Sequence, residues 1–554
     1  MLGTMMNVPL QLSSILRHAA AYHADGEVVS AAVEGGLHRY TYGELATRSA
    51  KLAHALARLG LKDGDRVGTL AWNGYRHMEL YYGVSGSGLV CHTINPRLFR
   101  EQIAYIIDHG GDSALFFDLT FVPIIEELAD QLKGLKAVVA MTDEAHMPKS
   151  EILAQKLPGL LCYETLIAGE PEAFDWPSFD ENTASGLCYT SGTTGDPKGV
   201  LYSHRSCVLH AMAIAMPDGL GLGSGDAICP IVPMFHVNAW GLPFAAPMVG
   251  AKLVLPGAHL DGASLHALFE GEGVTFTAGV PTVWLGLLDW MDTHARDFTA
   301  LKRVVIGGSA VPPIMVSRFH AKGVEVRQAW GMTETSPVGL SASLKPKHKG
   351  LLAEDRLALE CKQGRPLFGM EFRVAAGEGR EAAHDGKSFG SMLVRGPWVA
   401  QAYFNTPASP AHEEYPGWFD TGDVVTMDGE GFIQIVDRTK DVVKSGGEWI
   451  SSIELENIAQ AHPAIQEAAI VARPDPRWGE RPVLVAVLKP GATFTRADMR
   501  AHYEGKTSKW CVPDDVVVLT ELPHTATGKL SKKAIRQIIL EEIAGRSIDL
   551  GIGS

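Results

Sequence analysis

An α/β fold is predicted: a large N-terminal domain of layered α/β subdomains, followed by a small α+β C-terminal domain. Three observations lead there. At 554 residues the chain exceeds the roughly 250–300 residues that one hydrophobic core can serve. Short apolar runs alternate with helical stretches through the first few hundred residues, the pattern of buried, mostly parallel sheets. Near Gly417 the pattern changes to turn-rich sequence and then to a smaller α+β region.

Local signals support each element in turn. Thr41 and Glu44 have capping-box spacing, and Leu45, Leu52, Leu56 and Leu59 recur at helical intervals until Gly60. Residues 66–72 read as a strand, and 89–94, 113–117 and 136–141 as further buried strands. GWFDTGD and MDGEGF lead into FIQIVDR. Ser451 and Glu454 could cap a helix running toward Gln460, with strands IQEAAIVA and PVLVAVL after it. A domain boundary is expected at 438–440, dividing a large domain (1–437) from a small one (441–554) of normal domain size.

Composition excludes several classes. The chain is 46% hydrophobic and 20% charged with a net charge of −14, which argues against a nucleic-acid-coating or membrane-surface role. The seven cysteines are scattered without a CxxC pair, as expected of reduced thiols in a cytoplasmic protein. The N-terminus has no cationic start leading into an apolar run, so no signal peptide is expected. The most apolar stretch, 237–251, is interrupted by Pro243 and Pro247 and is too short to span a bilayer.

The most informative segment is YTSGTTGDPKGV, residues 189–200. An apolar strand runs into a loop of Thr190, Ser191, Gly192, Thr193, Thr194 and Gly195, then Lys198, then a second strand. Glycines let backbone N–H groups converge on an anion, hydroxyls add donors and the lysine adds charge. A Gly/Thr/Ser run alone is usually just a loop. The Walker A pattern is absent, because Pro197 precedes the lysine and Gly199 follows it.

The whole string resembles the signature of the adenylate-forming superfamily, which includes acyl-CoA synthetases, firefly luciferase and peptide-synthetase adenylation domains. Companion motifs follow in that family's order, from about residue 10 to 540. PMFHVNAW, with His236, Val237 and Trp240, resembles the motif lining the acyl site; in fatty acyl-CoA synthetases with HVNAW the matching Trp gates the acyl tunnel. GVPTVW, with Gly279 and Trp284, and GGS, with Gly308 and Ser309, resemble further pocket segments. WGMTE (Trp330, Gly331, Met332, Thr333, Glu334) is similar to the adenine and magnesium motif. Asp423 matches the ribose-binding position, and Arg438 is expected to join it. Lys440 matches the hinge, and Lys444, Ser445, Gly446, Gly447, Glu448 and Trp449 match the CoA-tunnel loop. Lys529, in TATGK, matches a catalytic lysine on a mobile small domain.

The resemblance implies ATP-dependent activation of a carboxylic acid to acyl-AMP and pyrophosphate, then transfer to CoA. That chemistry brings two anions together, so charge neutralisation and positioning dominate. Lys529 is suited to bridge carboxylate and α-phosphate, Glu334 and Thr190 to hold Mg2+, and Asp423 and Arg438 to hold ribose hydroxyls. His236 is a candidate that could equally only shape the pocket. The whole chain is similar to bacterial medium-chain fatty acyl-CoA ligases and to 3-methylmercaptopropionate-CoA ligases, so a short- or medium-chain apolar acid is expected. A carrier-protein-loading adenylation enzyme and a long-chain ligase are the alternatives. The expected assembly is a homodimer.

Other short matches point elsewhere. GKSFG (386–390) fits a nucleophile elbow, but a polar turn precedes it where that motif needs a strand. GGDS (110–113) echoes a phosphopantetheine site, yet reads as a helix stop and a strand start. His204 and His210 lack the acidic partner of a metalloprotease pattern.

Overall fold

A computed structural model of the chain describes residues 1, 3–190, 196–377, 379–406, 409–446, 448–524 and 530–549. Two compact units emerge. The first takes in Met1–Gly192, Asp196–Glu371 and Arg395–Phe419, and the second includes Phe372–Val394 and Asp420–Ser554.

The first unit holds two large sheets. A seven-stranded sheet runs in the order Leu161–Cys162, Ala137–Ala140, Asp112–Phe117, Arg66–Leu70, Val90–Thr93, Ala184–Tyr189 and Gly199–Ser203. All of its neighbours are parallel except the last pair. In the nine-stranded sheet, Lys252–Leu255, Ala227–Pro230, Phe276–Gly279, Arg303–Gly307 and Glu325–Gly331 form a parallel centre, with antiparallel pairs at both ends. Short apolar strands such as Ala137–Ala140 and Phe276–Gly279 are buried at every residue, as parallel strands covered on both faces must be. The strands expected from 66–72, 89–94 and 136–141 are present but shorter at their ends.

Local signals behave as their chemistry requires. Thr41 accepts from the Glu44 amide, the Glu44 carboxylate accepts from the Thr41 amide at 2.8 Å, and the helix Tyr42–Arg58 buries Leu45, Leu52 and Leu56. Gly111, at φ 62°, ends the helix Arg100–Gly110, and the strand Asp112–Phe117 starts directly after it, so GGDS is a helix stop. In GKSFG the Ser388 hydroxyl donates to Asp385 within a turn, and the strand Phe389–Arg395 follows rather than precedes. His204 Nδ1 accepts from the Leu12 amide and His210 Nε2 from the Val338 amide; both are buried core histidines. No helix among the described residues is long and apolar enough to cross a membrane.

The second unit contains a four-stranded sheet ending in Phe419–Met427 and Ile433–Arg438, and a five-stranded sheet centred on Ile465–Asp475 and Gly479–Leu488. Alternate residues of the latter face opposite cores. Ala468, Ile470, Leu484 and Ala486 pack with Leu455 and Ala459 of the helix Ser452–Gln460. Ala469, Val471, Val483 and Val485 pack with Ile535 and Ile539 of the helix Lys532–Asp549. The Lys532 ammonium bonds to Glu456 Oε1 at 2.7 Å and to Ser452 Oγ, pinning the two helices together. Ser451 caps the helix Ser452–Gln460 by accepting from the Glu454 amide. The architecture is the expected one: layered α/β, with a smaller α+β C-terminal region.

Candidate active site

The YTSGTTGDPKGV segment begins and ends in paired strands. Ala184–Tyr189 pairs antiparallel with Gly199–Ser203, with Tyr189 opposite Gly199. The Thr190 amide donates to the Lys198 carbonyl at 2.9 Å, and the Lys198 amide donates to Thr190 Oγ1 at 3.2 Å, closing the neck of the loop. Ser191, Gly192, Thr193, Thr194 and Gly195 lie outside the described residues. The exposed Lys198 ammonium stands 4.8 Å from the centre of the Tyr403 ring, an attraction of about 0.5–1 kcal/mol at such sites. The Phe404 amide donates to the Gly199 carbonyl at 2.8 Å, so segment 400–404 runs along the hairpin.

The remaining first-unit motifs share one edge. In the nine-stranded sheet, Pro230 pairs with Ala278, Gly279 with Ile306 and Gly307 with Ala329. The motifs containing His236, Gly279, Gly308 and Trp330 therefore leave adjacent parallel strands at their carboxyl ends, the place where open α/β sheets bind ligands. Gly308 and Ser309 are exposed there, whereas Trp330 is buried. Gly331 has no alternative, since a Cβ would come within 2.1 Å of the Pro337 carbonyl.

Glu334 sits in the Thr333–Thr335 turn and is only 5% exposed. Its Oε1 accepts from the Tyr403 hydroxyl at 2.6 Å, and its main-chain carbonyl accepts from the Ala400 amide at 2.7 Å. Tyr202 donates to the neighbouring Thr333 carbonyl at 2.7 Å, which ties this turn to the phosphate hairpin. Burial and the Glu334 carboxylate both raise the Tyr403 pKa, keeping its hydroxyl protonated as a donor. Glu334 and Thr190 offer a carboxylate and a hydroxyl, oxygen donors that fit magnesium and not a soft metal.

Among the described residues, the HVNAW segment holds the longest run of positive φ. Val237, Asn238, Ala239 and Trp240 have φ of 48°, 51°, 46° and 57°, a left-handed turn costing roughly 1–2 kcal/mol per residue. Asn238 Oδ1 accepts from the Tyr81 hydroxyl at 3.1 Å. The Trp240 ring lies against Gly307, where a Cβ would approach it to 2.9 Å. His236, half-buried, opens the turn with its amide on the Pro233 carbonyl. Trp284 is fully buried among Leu265, Phe269, Leu287 and Phe319, and a Cβ on Gly279 would meet its indole at 2.5 Å.

In the second unit Asp423 is 1% exposed, and the Arg438 guanidinium holds its Oδ1 at 2.5 Å across paired strands. Lys440 is exposed, and its carbonyl accepts from Arg536 at 3.0 Å. Val443–Ser445 and Glu448–Ile450 form a hairpin pairing Lys444 with Trp449 and Ser445 with Glu448. Gly446, at φ 59°, turns it and donates to the Trp478 carbonyl at 2.7 Å. Trp478 and Trp510 flank that glycine. Gly447, the Glu448 and Trp449 side chains and Lys529 lie outside the described residues.

Tyr403, Tyr202 and Asn238 were not singled out from sequence. Tyr403 follows a strand in an aromatic run (GPWVAQAYF), but nothing in that run points to Glu334, sixty-nine positions away in the chain.

A sequence profile of AMP-binding enzymes matches residues 16–404, and one of the AMP-binding enzyme C-terminal domain matches 454–529; the chain belongs to this family. Among its relatives, a 3-methylmercaptopropionyl-CoA ligase of Ruegeria lacuscaerulensis is 48% identical over 98% of this chain and 100% of its own. A medium-chain-fatty-acid–CoA ligase of Ectopseudomonas oleovorans is 49% identical over 97% of both chains. A long-chain-fatty-acid–CoA ligase of Thermus thermophilus is 45% identical over 97% of this chain and 96% of its own. The crystal structure of an anthranilate CoA ligase with anthranoyl-AMP has the same fold, with a TM-score of 0.84 at 24% identity over 97% of this chain and 99% of that one.

Proposed function

We propose that this chain is an AMP-forming acid–CoA ligase for a short- or medium-chain apolar acid, fatty or thioether, such as 3-methylmercaptopropionate. The observation that carries the reading is the convergence of the acyl, GGS and WGMTE motifs on one sheet edge, tied through Tyr202 to the phosphate hairpin. Full-length relatives at 48% and 49% identity support the class of acid.

In the first step a carboxylate oxygen bonds to the α-phosphorus of ATP while the bond to the bridging oxygen breaks and pyrophosphate leaves. Lys198 and the loop amides hold phosphate oxygens, and Lys529 neutralises charge where the two anions meet. Glu334 and Thr190 would hold Mg2+, which when bound would supply further charge neutralisation. Asp423 accepts from the ribose hydroxyls, with Arg438 orienting it. In the second step the CoA sulfur attacks the acyl carbonyl and AMP leaves. A turn about Lys440 exchanges Lys529 for the hairpin 444–449, dividing the chain into 1–437 and 441–554. The protein works as a cytoplasmic homodimer, which light scattering tests.

A pyrophosphate-release screen from acetate to palmitate, with thioether and aromatic acids, tests the acid. Maximal turnover on acids of about four to ten carbons with CoA is expected. A maximum at palmitate would give the long-chain reading, and thioester formed only on carrier proteins would give the loading reading.

A further inference from the structure

We infer that Tyr403 is a positioning residue for the metal–phosphate site, aiming the Glu334 carboxylate and steadying Lys198 at once. The inference rests on the reading of Glu334 as the magnesium ligand. Three observations within the first unit carry it. The Tyr403 hydroxyl donates to Glu334 Oε1 at 2.6 Å in a buried setting. Its ring face lies 4.8 Å from the Lys198 ammonium. The segment that carries Tyr403 is held at two points, by the Ala400 amide on the Glu334 carbonyl and by the Phe404 amide on the Gly199 carbonyl.

A buried carboxylate without a donor is costly, and one with a rotatable partner has no fixed direction. Tyrosine supplies a donor on a rigid ring, so one carboxylate oxygen is committed and the carboxylate plane is set. Magnesium demands near-ideal octahedral geometry, so its affinity is sensitive to that plane. The same ring presents its negative face to Lys198, steadying that cation before nucleotide arrives. One side chain thereby ties the two charges that must meet the triphosphate.

Tyr403→Phe keeps the ring and removes the hydroxyl. Calorimetric titration with the non-reacting analogue α,β-methylene-ATP, with and without Mg2+, reads the metal-dependent part of binding directly. AMP titration without metal reads the rest. Glu334→Gln serves as the comparator. The expected result is a loss of roughly 10-fold or more in the Mg2+-dependent enhancement in Tyr403→Phe, with AMP affinity and melting temperature unchanged. An unchanged enhancement in Tyr403→Phe beside a reduced one in Glu334→Gln overturns the role of Tyr403 and leaves the metal reading standing. No change in either variant overturns the metal reading and this inference with it. A parallel loss of AMP affinity and melting temperature makes Tyr403 a packing residue only and also overturns it.

Discussion

Glu334 in the first unit and Lys440 in the second stand in opposite surroundings. Glu334 is buried, its side chain held by Tyr403, its carbonyl by Ala400, and the preceding residue's carbonyl by Tyr202. Lys440 is exposed, in a link between the strands Ile433–Arg438 and Val443–Ser445, with its carbonyl on the long side chain of Arg536. Phosphoryl chemistry needs charges that do not reorganise, which the first arrangement provides. A second step at the same centre needs groups to be exchanged, and an exposed link at the ends of elements can absorb the φ/ψ change that requires. On the proposed reading, fixed charge and exchangeable groups fall in different parts of the chain.

The sharpest way to break this contrast is Lys529→Ala. If Lys529 acts only when the two anions meet, adenylation falls by about 10²–10³-fold, the scale of a removed transition-state donor. Thioester formation from pre-made acyl-AMP stays within a few-fold. Equal loss in both half-reactions, with the protein folded, would place Lys529 outside the first step.

Lys440→Pro comes next, with an expected effect on the order of a hundredfold on CoA transfer alone. The second unit adds a condition to it. The Ser452 amide donates to Asp437 at 2.6 Å and the Ser451 hydroxyl to the Val436 carbonyl at 2.5 Å, bonds that bridge the proposed hinge. A rotation centred on Lys440 must break both. Single-turnover measurements that track acyl-AMP and acyl-CoA separately check this. Acyl-AMP that accumulates without transfer supports the hinge at 440. Retention of both products moves it elsewhere, and the division of the compact units near Phe419 offers the next place to look.

Legibility in the sequence divides along similar lines. Strands such as 137–140 and the Thr41–Glu44 cap were readable because local composition and spacing determine them. The family was readable because its loop chemistry is written in contiguous residues, SGTTG and PKG among them. The Tyr403–Glu334 bond was not, since it depends on which strand ends the topology brings together. Nor was the left-handed turn at 237–240, because Val, Ala and Trp carry no local preference for positive φ and tertiary packing imposes it. The core position of Trp284 was hidden for the same reason: GVPTVW reads alike whether its tryptophan faces a cavity or a helix.

Acid pH tests the rigidity of the first unit more modestly. Burial pushes His77 and His204 down to about 4 and His210 down to about 3, so the folded first unit requires all three neutral. The unfolded chain takes up these protons near pH 6.5, so their contribution is complete above that pH and is lost as pH falls toward 4 and 3. At pH 5 each accounts for a loss of about 2 kcal/mol. Asp118, pushed up by burial to about 7, acts in the opposite sense and offsets about 2 kcal/mol between pH 7 and pH 5. His210→Gln keeps an acceptor for the Val338 amide and removes the titration. Urea unfolding at both pH values should show the variant losing about 2 kcal/mol less than wild type. An unchanged pH dependence would mean that His210 is not held neutral.

The smallest effect tests whether strain at the acyl motif serves selectivity. Trp240 is buried at the end of a left-handed turn, and its ring lies against Gly307 at the edge of the sheet. A gate and a core residue respond differently to Trp240→Ala. Truncating a core tryptophan costs about 3–5 kcal/mol of stability and leaves the preference among acids as it was. Removing a ring that ends the acyl site instead opens apolar volume to the chain. Each additional methylene buried there gains about 0.8 kcal/mol, close to fourfold in kcat/KM, until the new space is filled. The expected outcome is a maximum shifted by two to four carbons with KM for ATP unchanged, read from kcat/KM across a homologous series of acids. A lowered melting temperature with the wild-type profile would return Trp240 to the core, and the fixed turn would then belong with Glu334 among the parts built not to move.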